Sequence, residues 1–141
     1  MEYRKLGNSG LKVSELSFGS WVTFNHQVDT FLAEKMLGIC FDAGINFFDN
    51  AEAYEAGESE IVMGKALKKL NQPRDSYCVS SKVLFGRIPG MRALPTQKGL
   101  SKKHVTEACH QAMERMQVDY LDLYFCHRPD PETPISETVW A

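Results

Sequence analysis

Short apolar runs alternate with stretches of helical periodicity along this chain. Runs rich in β-branched and aromatic residues predict four strands, at residues 16–20, 45–49, 77–82 and 121–127. Two short arms around a Gly-Asn-Ser-Gly cluster at residues 7–10 predict a β-hairpin over residues 3–13. Because the four strands are far apart in sequence, we expect them to be joined by crossover connections rather than by tight turns.

Helices are predicted in the intervals between the strands. Asp29 or Thr30 can cap the first helix, and Ser101 can cap the third. The apolar face predicted for the first helix consists of Leu32, Met36, Ile39, Cys40 and Ala43. A second helix is predicted from about residue 58 to residue 70, and a fourth begins at Thr133.

The alternation of strand and helix predicts an α/β fold with parallel strands. An open doubly wound sheet and part of a (β/α)8 barrel both fit this order. The open sheet is expected to carry a G-x-G-x-x-G fingerprint after its first strand, whereas this turn reads Gly-Ser-Trp-Val at residues 19–22. Polar residues at the ends of several strands are typical of a barrel. We therefore predict a (β/α)8 TIM barrel, here its N-terminal hairpin and first four strand-helix units.

The length of the chain limits how much of a barrel it can hold. A complete barrel usually takes about 250 residues, and this chain has 141. We therefore expect residues 1–141 to be the N-terminal half of a single barrel domain, truncated in the fourth helix. Half a barrel leaves the edges of its first and fourth strands unpaired, so such a chain is expected to continue or to pair with another piece.

Four chemically active side chains follow the predicted strands. Asp49, Lys82 and His127 end three of them, and Tyr54 lies one short loop beyond Asp49. In a parallel barrel these strand ends meet at one rim. A phenol has an ordinary pKa of about 10, and a lysine ammonium about 4 Å away stabilises its phenolate by about 4 kcal/mol at an effective dielectric of about 20. The set predicts proton delivery to an oxygen, as in carbonyl reduction.

The remaining requirements of carbonyl reduction follow from the same residues. Asp49 can pair with Lys82 and keep the ammonium charged, and His127 can orient the substrate oxygen. No side chain donates a hydride, so a nicotinamide cofactor is required. The long irregular stretch at residues 84–100 also carries basic residues that can reach a substrate: Arg87, Arg92 and Lys98.

The sequence resembles the aldo-keto reductases along almost its whole length. The resemblance rests on Gly-Ser-Trp at residues 19–21, G-I-N-F-F-D-N-A-E-A-Y at 44–54, S-S-K-V at 80–83, L-S-K-K-H at 100–104 and Y-L-D-L-Y-F-C-H-R-P-D-P at 120–131. Within that family, W-V-T-F-N-H-Q at 21–27 and R-P-D-P-E-T-P at 128–134 are most similar to the branch that contains potassium-channel β-subunits.

The resemblance implies an NADP(H)-dependent oxidoreductase that reduces aldehydes or ketones to alcohols, with NADPH as cofactor and a small carbonyl compound as substrate. It implies Tyr54 as proton donor, Lys82 and Asp49 as the groups that tune it, and His127 as the residue that positions the carbonyl. The cofactor contacts that it implies are Ser20, Trp21, Gln27 and Asp49. Core packing is the alternative interpretation of Trp21.

Two positions depart from the family pattern. His127 stands where the animal channel subunits carry Asn, which favours a working reductase. Asn50 stands where the family more often has Thr. Two other functions stay open: a non-enzymatic regulatory or interaction module similar to a channel β-subunit, and an inactive truncated fragment.

The composition of the chain limits which kinds of partner and which cellular location we expect. A formal net charge of −2 gives no basic surface for nucleic acid. No stretch approaches the length of a membrane span, and residues 1–5 contain no apolar signal-peptide core. The widely spaced cysteines, Cys40, Cys78, Cys109 and Cys126, are predicted to be reduced, buried thiols. We therefore expect a cytoplasmic protein without membrane insertion, and a homo-oligomer is a possible assembly.

No metal site is predicted. His26, His104 and His110 lack the spacing of metal ligands, and we interpret them as surface or helix-face residues.

Overall fold

The chain begins with the predicted hairpin. In the computed structural model, which describes residues 1–86 and 93–141, strand β1 (Tyr3–Lys5) pairs antiparallel with β2 (Lys12–Ser14). Gly7 in the turn has a φ of 55°, a left-handed conformation that glycine adopts without a steric penalty. The side chain of Asn46 accepts a hydrogen bond from the Ser14 amide at 2.7 Å, which ties the hairpin to the rest of the fold.

Four short strands form a parallel sheet. They are β3 (Phe18–Gly19), β4 (Phe47–Asp49), β5 (Cys78–Val83) and β6 (Leu123–Cys126). Their order in the sheet is β3-β4-β5-β6, the same as in the sequence, and each neighbouring pair is parallel. An open doubly wound sheet reverses its strand order at a switch point, whereas successive strands of a barrel stay neighbours. The predicted α/β barrel architecture is therefore confirmed for these units.

Helices connect the strands and follow the last one. They are α1 (Thr30–Asp42), α2 (Glu58–Leu70), α3 (Lys102–Met116) and α4 (Ile135–Val139). The predicted caps are confirmed, because the Asp29 carboxylate accepts from the Leu32 amide at 2.9 Å and the Ser101 hydroxyl accepts from the His104 amide at 3.3 Å. Each bond satisfies one of the unpaired N–H groups of a helix start.

The buried face of α1 differs from the prediction. Ala33 and Leu37 are fully buried and Cys40 is nearly so, whereas Leu32 and Ile39 are 43% and 68% exposed. The helix carries two apolar stripes with the same spacing, and periodicity does not say which of them packs against the sheet. Two members of the predicted face do pack in the core, Cys40 as a buried residue and Met36 as a partly buried one.

The main core lies between the sheet and the helices. Phe48 of β4 and Val79 of β5 are fully buried, together with Leu37 of α1 and Met63 of α2. A smaller cluster forms around Val83, Leu100 and Ala108, under the end of β5. The strand ends that follow these core positions are therefore held on a packed scaffold, which is a precondition for a well-defined site.

The thiol groups are free, as predicted, but their burial differs among them. Cys40 and Cys78 are buried, Cys109 is half-buried and Cys126 is exposed. The prediction of burial was wrong for Cys126, which ends the outermost described strand. Within residues 1–86 and 93–141, no helix has both the length and the apolar character needed to cross a membrane.

Candidate active site

Lys82 joins the predicted catalytic groups. Its Nζ donates to Asp49 Oδ2 at 2.6 Å, to the Tyr54 hydroxyl oxygen at 3.0 Å and to the Asn50 carbonyl at 2.9 Å. Asp49 of β4 pairs with Ser80 of β5, and Lys82 stands two residues further along, on the same face of the sheet. The Lys82 and Asp49 side chains are 16% and 26% exposed, so the pair lies at the rim of the core.

Two serines orient Asp49 from the neighbouring strands. The Ser80 hydroxyl donates to Asp49 Oδ1 at 2.7 Å, and the Ser20 hydroxyl donates to the Asp49 main-chain carbonyl at 3.1 Å. Both serines are fully buried. The carboxylate is therefore bonded at each oxygen, by a hydroxyl on one side and by the Lys82 ammonium on the other, and hydrogen bonds of this charge-assisted kind are the stronger ones.

The loop that carries Tyr54 contains strained backbone. Tyr54 begins a short 3-10 turn (Tyr54–Gly57) that leads directly into α2, and Glu55 and Ala56 have φ angles of 46° and 53°. Left-handed conformations of non-glycine residues cost about 1 kcal/mol or more and persist where the surrounding structure enforces them. Here the phenol is held by Lys82, on the adjacent strand β5.

His127 follows β6 directly and faces the phenol. Its ring meets the Tyr54 ring edge-on, with 5.8 Å between centroids, and the Phe85 ring at 5.1 Å. Burial lowers the pKa of His127, and the positive charges of Lys82 and Arg128 lower it further. The imidazole is therefore neutral at neutral pH. Its Nδ1 is buried without a hydrogen-bond partner in the part of the chain that the structure describes.

Tyr54 and His127 face one cleft of about 360 Å³. It is lined by Trp21, Ala53, Tyr54, Phe85, His127 and Arg128. Trp21 is 66% exposed, and its ring lies nearly parallel to the Tyr54 ring at 6.3 Å between centroids. Trp21 therefore lines the cleft, and the alternative of core packing is excluded.

Other residues of the predicted set lie outside this cleft. Ser20 is buried behind Asp49, and Gln27 is exposed in the turn after β3. Lys98 lines a neighbouring groove with Leu84 and Phe85. Arg87 and Arg92 lie outside the described residues. The structure thus brings together Asp49, Tyr54, Lys82, His127 and Trp21.

Sequence reasoning missed two buried charged residues beside the site. Glu52 is 3% exposed and His104 is 5% exposed, and His104 Nε2 lies 3.4 Å from Glu52 Oε2. The interpretation of His104 as a surface or helix-face residue was wrong, because the first turn of α3 directs it inward. Phe85 and Arg128 were also missed. An acidic residue two positions before Tyr54, within an apolar segment, was the available signal for Glu52.

Within residues 1–86 and 93–141, no group of three or more His, Cys, Asp or Glu side chains is arranged to hold a metal ion. The groups gathered at the cleft and its rim are a phenol, an ammonium, a carboxylate and an imidazole.

The chain is similar to known proteins along its whole length. The chain is 49% identical over its 141 residues to a probable voltage-gated potassium channel subunit beta of Arabidopsis thaliana, and 48% identical to one of Oryza sativa subsp. japonica. It spans 42% of the length of each of these relatives. The profile of the aldo/keto reductase family matches residues 15–141, which include every residue of the cleft. The chain therefore belongs to the aldo/keto reductase family.

Proposed function

We propose that this chain carries the proton-transfer half of an NADP(H)-dependent reductase of aldehydes or ketones. The observation that carries the proposal is Lys82 Nζ, which bonds both the Tyr54 hydroxyl and the Asp49 carboxylate beside an imidazole in one cleft. The family consists of oxidoreductases of carbonyl compounds, which supports the reaction type. Because the chain spans 42% of the length of each of these two relatives, we propose that it supplies the first four units of a longer barrel.

Tyr54 is the proton donor in this proposal. Lys82 donates to the phenol oxygen, so the phenol's own hydrogen is directed away from the lysine and is available to a carbonyl oxygen in the cleft. After transfer the phenolate stays beside the ammonium, whose charge stabilises it. Asp49 and the Asn50 carbonyl hold that ammonium in position, and the Ser80 hydroxyl holds Asp49.

His127 orients the carbonyl. Its lowered pKa keeps the ring neutral, so it can donate one N–H to the substrate oxygen without competing with Tyr54 as a charged acid. Among residues 1–86 and 93–141 the buried Nδ1 has no hydrogen-bond partner, so these residues leave part of the hydrogen-bonding capacity of the ring unused. A neutral donor next to the phenol is suited to an oxygen on which negative charge develops.

The residues present fit the nicotinamide end of NADPH, which supplies the hydride when it is bound. The exposed ring of Trp21 offers a flat apolar surface next to Tyr54, and the Asp49 carboxylate can accept from hydroxyl groups. Trp21, Asp49 and Gln27 would hold the cofactor, whereas Ser20 would act through its bond to the Asp49 carbonyl.

The test is Tyr54→Phe in the intact protein that carries this chain. We expect benzaldehyde-dependent NADPH oxidation to fall by about 10² to 10⁴-fold, because the general acid is lost. Tyr120→Phe is the matched control, since Tyr120 stacks on Arg74 away from the cleft. If Tyr54→Phe retained most of the turnover, Tyr54 would not be the proton donor.

A second candidate is a regulatory or interaction module that binds the cofactor without turnover. It is favoured by the two plant relatives, which are named as probable channel β-subunits. Tight NADPH binding, a stable homo-oligomer and negligible turnover on any aldehyde would support this module against the reductase. In either case we propose a cytoplasmic protein, because the four cysteines are free thiols.

A further inference from the structure

We infer that Glu52 is a positioning residue that fixes Phe85 against His127, with His104 as its buried counter-group. The inference rests on the proposed function, because it assigns a role within the same substrate cleft. Phe85 lines that cleft, and its ring lies 5.1 Å from the His127 ring. Whatever fixes Phe85 therefore shapes both the wall of the cleft and the setting of the imidazole.

Glu52 bonds the chain on both sides of Phe85. Its Oε1 accepts from the Leu84 amide at 2.8 Å and from the Gly86 amide at 2.9 Å. Its own amide donates to the Lys82 carbonyl at 3.2 Å. One buried carboxylate thus connects the Tyr54 loop, the end of β5 and the residues that flank Phe85.

His104 completes the arrangement from the start of α3. Its Nδ1 lies 2.8 Å from the Gly99 carbonyl, and the Gly99 amide donates to the Leu84 carbonyl at 2.7 Å. A carbonyl only accepts hydrogen bonds, so Nδ1 donates to it; Nε2 then faces a carboxylate that also only accepts. This geometry favours the imidazolium, which neutralises the Glu52 carboxylate.

The chemistry requires a carboxylate at this position. Two main-chain N–H groups and an imidazolium converge on Glu52, which is 3% exposed, so little water can replace a missing acceptor. An alanine at this position would leave these donors without a partner and release Phe85. A glutamine keeps an oxygen for the two amides but loses the charge that faces His104.

Two measurements separate this role from a purely structural one. The first follows the His127 ring by NMR in protein containing isotope-labelled histidine, assigned with a His127→Asn variant. Because the Phe85 ring adjoins His127, ring-current effects give the imidazole a shifted resonance. We expect Glu52→Ala to move this resonance as Phe85→Ala does, and Glu52→Gln to move it less. Glu107→Ala is the matched control, because Glu107 is exposed and its ion pair is with Lys103 on the surface of α3.

The second measurement is a double-variant cycle in the reductase assay. We expect Glu52→Ala to raise KM for benzaldehyde about tenfold, with a smaller rise for Glu52→Gln and for the short substrate propanal. In the Phe85→Ala background the same Glu52 change should alter KM less than about twofold, because the two residues act through one contact. A merely structural role would give the same loss in both backgrounds.

The outcomes distinguish this inference from the proposed function. If none of the aldehydes tested supported NADPH oxidation by the wild-type protein, the reductase assignment would fail. The His127 resonance would still test the position of Phe85. If the resonance were unmoved in soluble, folded Glu52→Ala and Glu52→Gln, or if the Glu52 effect persisted without Phe85, the positioning role would be overturned.

Discussion

Lys82 is the residue on which the site depends most, because its ammonium contacts Asp49, Tyr54 and the Asn50 carbonyl at once. We expect Lys82→Met to lower turnover by about 10² to 10⁴-fold, since the phenolate that forms on proton transfer loses its nearest positive charge. The change also leaves the Asp49 carboxylate without its counter-ion. We therefore expect a loss of about 2 kcal/mol in the free energy of unfolding, measured in urea.

Lys69→Met is the control for this prediction. Lys69 pairs with Glu34 at 3.2 Å on the surface, where its side chain is 58% exposed. Ion pairs of this kind contribute about 0 to 1 kcal/mol, so neither turnover nor stability should change measurably. A Lys82→Met protein with nearly wild-type turnover would mean that Lys82 has a structural role only.

At the same scale, the sequence predicted the side chains that end strands and Tyr54 one short loop beyond Asp49, but it missed Glu52 in that loop and Phe85 after β5. Asp49, Lys82 and His127 could be predicted because an ionisable group after an apolar run reaches the rim wherever the strand pairs. For Glu52 the sequence offers an acidic residue within an apolar segment as a signal, but the partners of Glu52 and the position of Phe85 depend on bonds between the Tyr54 loop and the β5–α3 connection. No local pattern encodes bonds between segments so distant in sequence.

At the scale of elements, α2 and the end of α3 lie in close contact at Gly64. A Cβ at this position would lie 2.5 Å from the Met116 main-chain oxygen, which cannot move without shifting α3. We expect Gly64→Ala to lower the free energy of unfolding by about 1 to 3 kcal/mol, because overpacking outweighs the better helix propensity of alanine. Urea denaturation measures this loss.

Gly38→Ala provides the comparison within α1. There a Cβ would meet only the Leu70 side chain, at an ordinary 3.5 Å. This variant should be neutral or gain up to about 1 kcal/mol from helix propensity. Equal effects at the two positions would contradict a tight α2–α3 contact at Gly64.

Sequence periodicity predicts where a helix lies, but it does not determine which side of the helix is buried. The bounds predicted for α2, residues 58–70, are confirmed. They follow from local chemistry, because acidic residues stabilise the first turn and Asn71 ends the helix in a left-handed conformation. The buried face of α1 was predicted only in part. Cys40 and Met36 pack inward as expected. Ala33 and Leu37 also pack inward, whereas Leu32 and Ile39 remain exposed. That choice is made by neighbouring elements and not by the helix itself.

At the scale of the whole molecule, strand-helix alternation could be predicted because each unit is marked by local signals. The long-range bonds that join the units could not be predicted from such signals. Arg115 of α3 pairs with the fully buried Glu60 of α2 at 2.6 Å, and these residues are 55 positions apart. The Glu52–His104 pair spans a similar separation. Both pairs make the stability of the fold dependent on charge.

Two histidines should give the stability of the fold opposite dependences on pH. Burial alone would lower the pKa of His104, but hydrogen bonds to Glu52 and the Gly99 carbonyl, with the Glu52 charge, raise it overall. A raised pKa means that the folded state binds the proton more tightly than the unfolded chain. This stabilisation is complete below the unfolded value of about 6.5 and is lost as the pH rises through the folded pKa of His104.

The pKa shift of His127 has the opposite sign to that of His104. Burial, Lys82 and Arg128 lower its pKa against the weaker effects of Glu52 and Asp49. Its contribution is therefore present above about pH 6.5 and is lost as the pH falls through the folded pKa. In the wild-type protein the His127 contribution changes below about pH 6.5 and the His104 contribution changes above it, so together they give a maximum of stability near that pH.

Single variants separate the two contributions. The first measurement is the free energy of unfolding of His104→Asn, determined in urea between about pH 5.5 and 8.5. We expect it to increase more with pH than that of the wild type, because the variant lacks the His104 contribution, which decreases as the pH rises. In His127→Asn the same quantity should decrease more with pH, because only the His104 term remains. A His104→Asn profile parallel to the wild type would mean that His104 carries no extra proton in the fold, and the charged contact with Glu52 would then have to be abandoned.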